Sequence, residues 1–568
     1  MNGKKFETIV YKGLSIFFLA VFLPVLFCVF TIAMKMDYFE AMKPLTLLPN
    51  FVLFLLALPV GALVLWLLKL GEKHPLKGKW SWITVGILVL LTAGLYFFMD
   101  FIAREIAFFL PWDIDVVRGS ALNFAALRPM GYDFYYSIYS NNIPIVFILG
   151  KILKFSKEWG YSMHQEYILV QVNCALMALS ILFASLSVKR LTNNLAATLL
   201  TFAAGVALIG SSGWMMAIYT DTYGQLFPIL GVYLYILYKQ VKPIVLKIVL
   251  LFFSVGTLAL GGLIKPSIFV VLIALILAEV MSFIGTFEKD SQDPKAVAKQ
   301  SAVALICLFV LLVLSVGMYK FSGAVKTEMM KRIGLEFNAT LEAGPADYLL
   351  MGMNNEHTGA YLNEDTTIFG EFQDTERSER EKIIFGRAMD RVKDRGFFGN
   401  LSFFLRKMTM TFNDGTFGWS TEIWKASDYD PAVSRKLAIT PYLQGFYNSF
   451  EKSKKSGVLN TSQHLIWMVC LIGLGLSVLP NLVSGKKNKA NATQNGFLLI
   501  SFFGIYFYQM LFEARARYLF VFLPILLVMA MMGYKGLLEI LESVLGKKAS
   551  EKEKTSTNRE QQATVENP

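Results

Sequence analysis

Apolar runs of about twenty residues recur along this chain, and few folds accommodate them. Twelve are visible, at 13–34, 48–69, 80–101, 166–188, 194–212, 223–239, 244–262, 267–285, 300–320, 463–483, 495–512 and 518–538. Twenty residues of α-helix span about 30 Å, the thickness of a bilayer's hydrocarbon core. The pattern predicts an all-α polytopic membrane protein of about 12–13 helices. A β-barrel, built from segments of about ten residues with alternating polarity, does not fit. Only 17% of residues are charged and the mean hydropathy is +0.50, so charge can sort the loops.

With the N-terminus inside, the expected cytoplasmic segments carry Lys4, Lys5 and Lys12; Lys69, Lys73, Lys77 and Lys79; Lys189 and Arg190; Lys239, Lys242 and Lys247; Lys289, Lys295 and Lys299; Lys486, Lys487 and Lys489; and the lysines from Lys547 onward. This is the positive-inside bias, and it places both termini in the cytoplasm. The 286–299 loop fits least well, because Glu288, Asp290 and Asp293 offset its lysines. The net charge of +12 is then explained by loops facing an anionic lipid surface, with no call for nucleic acid. The N-terminus has the flavour of a signal peptide but no clear cleavage site, and it reads as an uncleaved first helix. The segment 143–159 is short and contains Lys151, Lys154 and Lys157, so it reads as an interfacial helix.

The resulting organisation is a transmembrane region over 1–320, with a large first outer loop at 102–165. An extracytoplasmic α or α+β insertion follows over 321–462, then C-terminal helices over 463–545. The cytoplasmic tail, 546–568, is Lys/Glu/Gln-rich and expected to be disordered. Four polar features fall on the outer side: the aromatic loop 111–142, the turn YTDTYG at 219–224, the turn IKPS at 264–267 and EARARY at 513–518.

These four hold the residues suited to chemistry. Asp113 and Asp115 follow Trp112 at a membrane exit, where an acid can serve as general base or bind a metal. Extended backbone would put both acids on one face, whereas a helix would separate them. Asp115 also suits a helix cap for VVRGSALNFAAL. Arg515 and Arg517, beside Glu513 and Tyr518, present rigid forks of donors that match phosphate oxygens. Lys265, between apolar segments, is a further phosphate ligand or a snorkelling lysine. Asp221 and Tyr219 shape a pocket, or Asp221 caps the helix that follows. Tyr132, Tyr135, Tyr136, Trp214 and Trp419 suit sugar stacking or an interfacial belt. Asn142 closes the first loop. The four cysteines lie within apolar runs without paired spacing, and the four histidines are scattered. No metal site, HExxH motif or nucleotide-binding glycine loop is seen.

Three stretches bear a family resemblance: WDIDVV with the aromatic run ending in YSNNIP, GLIKPSIFVVLIA at 262–274, and FEARARYLFVFLP at 512–524. YLLMGMN at 348–354 and FNDGTFGW at 412–419 strengthen it. Together they resemble the GT-C superfamily of polyprenyl-phosphate-sugar-dependent glycosyltransferases, and more closely a group of large integral membrane proteins of Gram-positive bacteria. The resemblance implies an acid in the first outer loop as general base, best matched by Asp113 with Asp115 as the other candidate. It implies phosphate-binding cations, best matched by Arg515 and Arg517, with Lys265 besides. It also implies inverting transfer of a monosaccharide from an undecaprenyl-phosphate donor to an envelope glycopolymer such as a teichoic acid or wall polysaccharide. No cofactor is indicated, a divalent metal included. A donor-synthesising membrane glycosyltransferase and a flippase are implied partners in the pathway. Two other readings share the topology: a polymerase or ligase using lipid-pyrophosphate oligosaccharides, and a lipid-linked sugar flippase or transporter. The latter would place polar groups near the midplane of inverted repeats.

Overall fold

The computed structural model describes residues 3–32, 46–73, 75–76, 78–106, 113–159, 166–286, 294–372, 375–422, 436–447, 454–483 and 486–565. Among these residues every regular element is helical. Among the described residues nine helices are long and apolar enough to cross a membrane: Thr8–Thr31, Asn50–Glu72, Lys79–Ile106, Tyr167–Thr192, Ile244–Ile264, Pro266–Thr286, Val297–Ile333, Lys454–Leu482 and Leu523–Leu545. The chain is therefore a multi-span α-helical integral membrane protein.

Nine is fewer than the twelve runs visible in the sequence. At 194–212 the helix Leu195–Gly205 passes into a π-turn at Val206–Gly210 and stops at Ser211. At 223–239 the helix is only Leu226–Gln240, about 22 Å long and too short to cross upright. At 495–512 the apolar part of the helix is Gly496–Leu511. Hydropathy sums apolar residues regardless of backbone, so it cannot see that 211–225, although largely buried, is a string of turns. The segment 143–159 forms a 16-residue helix, Ile143–Glu158, with Leu149 and Leu153 buried and Phe155 and Trp159 exposed.

Helix crossings are made close by small residues. A Cβ on Gly533 would fall 1.8 Å from the carbonyl oxygen of Gly473, and the Tyr534 hydroxyl donates to the Val469 carbonyl at 2.9 Å. We expect Gly533→Leu to force these helices apart and destabilise the protein by about 3 kcal/mol, the upper end for overpacking. Gly86→Leu, where nothing lies within 4 Å, should be neutral. Thermal unfolding in detergent compares them. Deeper in the bundle, Glu279 accepts hydrogen bonds from Tyr235 (2.6 Å), Tyr238 (3.0 Å) and Lys239 (2.8 Å). This buried acid is fully partnered, and it fastens two helices together.

The insertion is helical in its described parts, with no strand among them. Its expected start at 321 lies inside the continuous helix Pro294–Ile333, and its expected end at 462 lies inside Lys454–Leu476. Its longest helix, Arg377–Phe412, changes direction at Gly396 (φ 62°). The second half enters the bundle, where Phe412 meets Phe22 at 5.1 Å and Phe502 at 6.2 Å. FNDGTFGW continues inward: Phe417 and Trp419 are fully buried, and Trp214 Nε1 donates to the Phe417 carbonyl at 2.8 Å. The C-terminal stretch expected to be disordered is helical as far as Val565. Glu, Lys and Gln are good helix formers, so a stretch poor in apolar residues can still be helical.

Candidate functional site

The four polar features meet at one end of the bundle because each lies at a helix start or a break between helices. Lys265 ends the helix Ile244–Ile264 in extended backbone (φ −140°, ψ 106°), the geometry favoured before a proline, and Pro266 opens the next turn. Tyr219 is extended (φ −146°, ψ 172°) ahead of the single turn Thr220–Tyr223. That turn is anchored from behind. The Asn173 side-chain nitrogen donates to the carbonyls of Trp214, Met215 and Ala217 at 2.9–3.1 Å, and Thr222 Oγ1 donates to the Ala217 carbonyl at 2.6 Å. Residues 513–515 form the break between Lys486–Leu511 and the turn Arg517–Phe520.

Asp113 and Asp115 stand in the first turn of the helix Asp113–Ala125, so their side chains point about 200° apart. Asp115 is 58% exposed and pairs with Arg118 at 2.7 Å, which also pairs with Glu166. It sits inside the helix and does not cap it. Asp113 faces the other way. The Tyr219 hydroxyl lies 3.2 Å from Asp113 Oδ2 and 3.4 Å from the side-chain carbonyl of Asn142. Asn142 Nδ2 donates to the Tyr135 hydroxyl at 2.8 Å, and Tyr135 lies beside Asp113. Burial, then neighbouring acidic groups that include Asp113, push Tyr135 and Tyr219 well above the ordinary tyrosine range. Both therefore remain protonated donors that orient the Asp113 carboxylate.

The cations gather around Asp221. Its Oδ1 accepts from Lys265 Nζ at 2.5 Å, and its Oδ2 lies 3.6 Å from Arg517 Nε. It caps no helix. The Arg517 guanidinium lies 5.8 Å from the Tyr219 ring and 5.2 Å from the Tyr518 ring, with Lys265 Nζ 5.0 Å from the latter. Arg515 pairs with Glu513 at 3.4 Å. The side chains of Asp221, Arg517, Lys265, Arg515 and Glu513 are 3–15% exposed, so their electrostatics are weakly screened. Arg517 is the junction. It reaches Asp221 on one side and, on the other, covers the ring whose hydroxyl meets Asp113.

Two tyrosines expected at the site lie elsewhere. Tyr136 is fully buried, with its hydroxyl toward the Val116 carbonyl (3.5 Å), and it props the Asp113 helix from behind. Tyr132 is 56% exposed in a left-handed conformation (φ 62°), and it starts the short helix Asp133–Ile138. Among the described residues no group of three or more His, Cys, Asp or Glu could hold a metal ion. His357 belongs to a turn, its Nδ1 2.6 Å from the Tyr361 carbonyl.

Sequence reasoning missed what the insertion contributes. The Tyr348 hydroxyl donates to the Asn141 side chain at 3.3 Å, and burial followed by neighbours including Tyr139, Tyr508 and Glu513 raises its pKa far above the usual value. Glu342 and Lys326 bond Ser140, and the Ala343 amide donates to the Ile138 carbonyl at 3.0 Å. The other contact is with 511–516. The fully buried Lys407 donates to the carbonyls of Gly352 (2.6 Å) and Phe512 (2.7 Å), and the Ala514 amide donates to the Gly359 carbonyl at 2.9 Å. A Cβ on Gly352 would fall 2.3 Å from the Leu511 carbonyl oxygen. Tyr348 was visible only as part of a resembling stretch, and no local pattern set Lys407 apart from the chain's other lysines.

No curated protein and no solved structure matches the chain. A family model described as "conserved hypothetical integral membrane protein" matches residues 6–537, a span that includes all four site segments and the insertion. By that match, the chain belongs to this family of integral membrane proteins.

Proposed function

We propose that the protein is an inverting GT-C glycosyltransferase. In this reading it moves a monosaccharide from an undecaprenyl-phosphate-linked donor onto an envelope glycopolymer, such as a teichoic acid or wall polysaccharide. The observation that carries the reading is that a tyrosine-held carboxylate, Asp113, and a buried cation group, Lys265 with Arg517, share Tyr219 as their common wall. The acceptor hydroxyl gives its proton to Asp113 as its oxygen attacks the anomeric carbon. The bond from that carbon to the phosphate oxygen breaks on the opposite face, and Lys265 and Arg517 stabilise the departing phosphate. Asp221 is a positioning residue, which fixes both cations. Arg515 with Glu513 supports the same loop. In this reading the shorter apolar helices Leu195–Gly210, Leu226–Gln240 and Gly496–Leu511 complete an even number of crossings, so the termini are cytoplasmic and the site extracytoplasmic, where a flippase delivers a donor made by another membrane glycosyltransferase.

The test uses the full chain in proteoliposomes with a panel of polyprenyl-phosphate sugars. Release of polyprenyl phosphate with a product of inverted anomeric configuration is expected. Consumption of lipid-pyrophosphate oligosaccharides instead, with none of the monosaccharide donors used by folded protein, would overturn the reading in favour of a polymerase or ligase.

A further inference from the structure

The helix Arg377–Phe412 carries an apolar corner that the protein leaves bare. Phe397 is 77% exposed, Phe398 80% and Leu401 60%, and they follow on the kink at Gly396. The corner is built and held. Arg395 donates to the Met353 carbonyl and to the Asn355 side chain, both at 2.7 Å, and its Nε donates to Asn400 Oδ1 at 2.8 Å. Asn400 Nδ2 donates to the carbonyls of Val392 (2.6 Å) and Gly396 (2.8 Å). The Arg395 guanidinium also lies 4.0 Å from the Phe403 ring. A soluble surface gains nothing by fixing two phenylalanines in this position.

Helix geometry gives the height of the corner. Phe18 and Phe22 pack on Phe502 and Tyr506, so Thr8–Thr31 and Gly496–Leu511 run parallel. Phe412 lies against Phe22 and Tyr506 while Lys407 reaches the Phe512 carbonyl, so residues 397–412 run antiparallel to both. Counting from the Phe22–Phe412 contact at about 1.5 Å per residue, Thr31 is about 14 Å up, Leu401 about 16 Å and Phe398 about 21 Å. Leu401 thus stands about level with the end of a membrane-spanning helix, and Phe398 and Phe397 stand about 7–9 Å beyond that end. The end of a spanning helix lies near the boundary between headgroups and acyl chains, where apolar faces of interfacial helices are buried about 5–10 Å deep.

We propose that Phe397, Phe398 and Leu401 form a membrane-inserting wedge, which seats the insertion in the leaflet at its own end of the bundle. The occupant of this apolar face is lipid, because the face continues a helix packed on the membrane-spanning Thr8–Thr31. The proposal is independent of any reaction the site performs. Its effect is to hold the backbone that begins at Arg395 and ends at Lys407 against the bilayer, and Lys407 grips the loop that bears Arg515 and Arg517.

The test is nitroxide accessibility in the full-length protein, reconstituted in nanodiscs of phosphatidylglycerol and phosphatidylethanolamine. Cys28, the half-buried native thiol, is replaced by serine, and single labels are placed by Phe398→Cys, Leu401→Cys and Lys393→Cys. Lys393 is a water-facing control, its side chain 75% exposed. Collisions with a water-soluble nickel chelate should be about tenfold rarer at 398 and 401 than at 393, with collisions with oxygen more frequent, as expected for burial among acyl chains. Chelate collisions at 398 and 401 equal to those at 393 would overturn the proposal. So would exclusion of both quenchers together with spin–spin broadening, which would mean that a second copy of the chain covers the wedge.

Discussion

In the proposed transfer reaction, Asp113→Asn should lower the turnover of a folded, membrane-reconstituted protein by about 10²–10⁴-fold, the usual worth of a general base. Asp115→Asn should stay within a few-fold of the parent. The asymmetry follows from the helix. Asp113 faces Tyr135, Tyr219 and Asn142 at the junction with Arg517, whereas Asp115 turns outward to Arg118. Asn keeps the size and one acceptor of Asp but cannot take a proton, so the two hydroxyl donors stay in place while the basicity goes. Equal losses in both variants would sink the assignment, as would full activity in Asp113→Asn. Size-exclusion profiles and melting midpoints of both variants separate loss of chemistry from loss of fold. Arg118 provides a control, because removing it releases Asp115 and Glu166 without touching the tyrosines.

The second large effect is expected at Asp221. Its carboxylate lies between Lys265 and Arg517, and all three side chains are at most 13% exposed. Asp221→Leu would take away the carboxylate that Lys265 and Arg517 share. Removing one partner from a buried ion pair costs about 3–5 kcal/mol, because the remaining charge is neither solvated nor compensated. The melting midpoint should fall accordingly, and the double variant Asp221→Leu with Lys265→Met should recover part of the loss, since one stranded charge then goes too. In the proposed reaction Asp221→Asn also frees Lys265 and Arg517 from their positions, so donor use should fall more steeply than stability. A single variant as stable as the parent would mean that water or another group already satisfies these cations.

The reach and the limits of the sequence show in particular residues. Pro266 after Lys265 and the polar run Glu513–Arg517 mark breaks between apolar helices, and breaks are where a membrane protein can hold charge. That Lys265, Asp221, Arg517 and Tyr518 converge follows from those breaks lying at the same end of successive helices. Asn142 and Tyr219 belong to the same layer. The roles of the two acids were not legible, because an acid at a membrane exit suits either extended chain or helix, and only the helical path turns Asp113 and Asp115 apart. Tyr132 and Tyr136 look equivalent to Tyr135 by composition, yet a left-handed backbone exposes the first and packing buries the second behind the helix. Lys407 sits 105 residues from the carbonyl it holds, and no local pattern signals such a contact.

By itself the sequence determined the solvent for which this chain is made, the helical class, and the end of each helix where charge could collect. Those follow from transfer free energies and backbone hydrogen bonding, which act residue by residue. Tertiary structure decided the number of full spans, the return of the Arg377–Phe412 helix into the bundle, and which of two acids shares the Tyr219 wall with the cations. These depend on where the chain turns and on contacts between residues hundreds of positions apart. A helix presents only one of its faces to any given partner, and which face that is depends on everything packed around it.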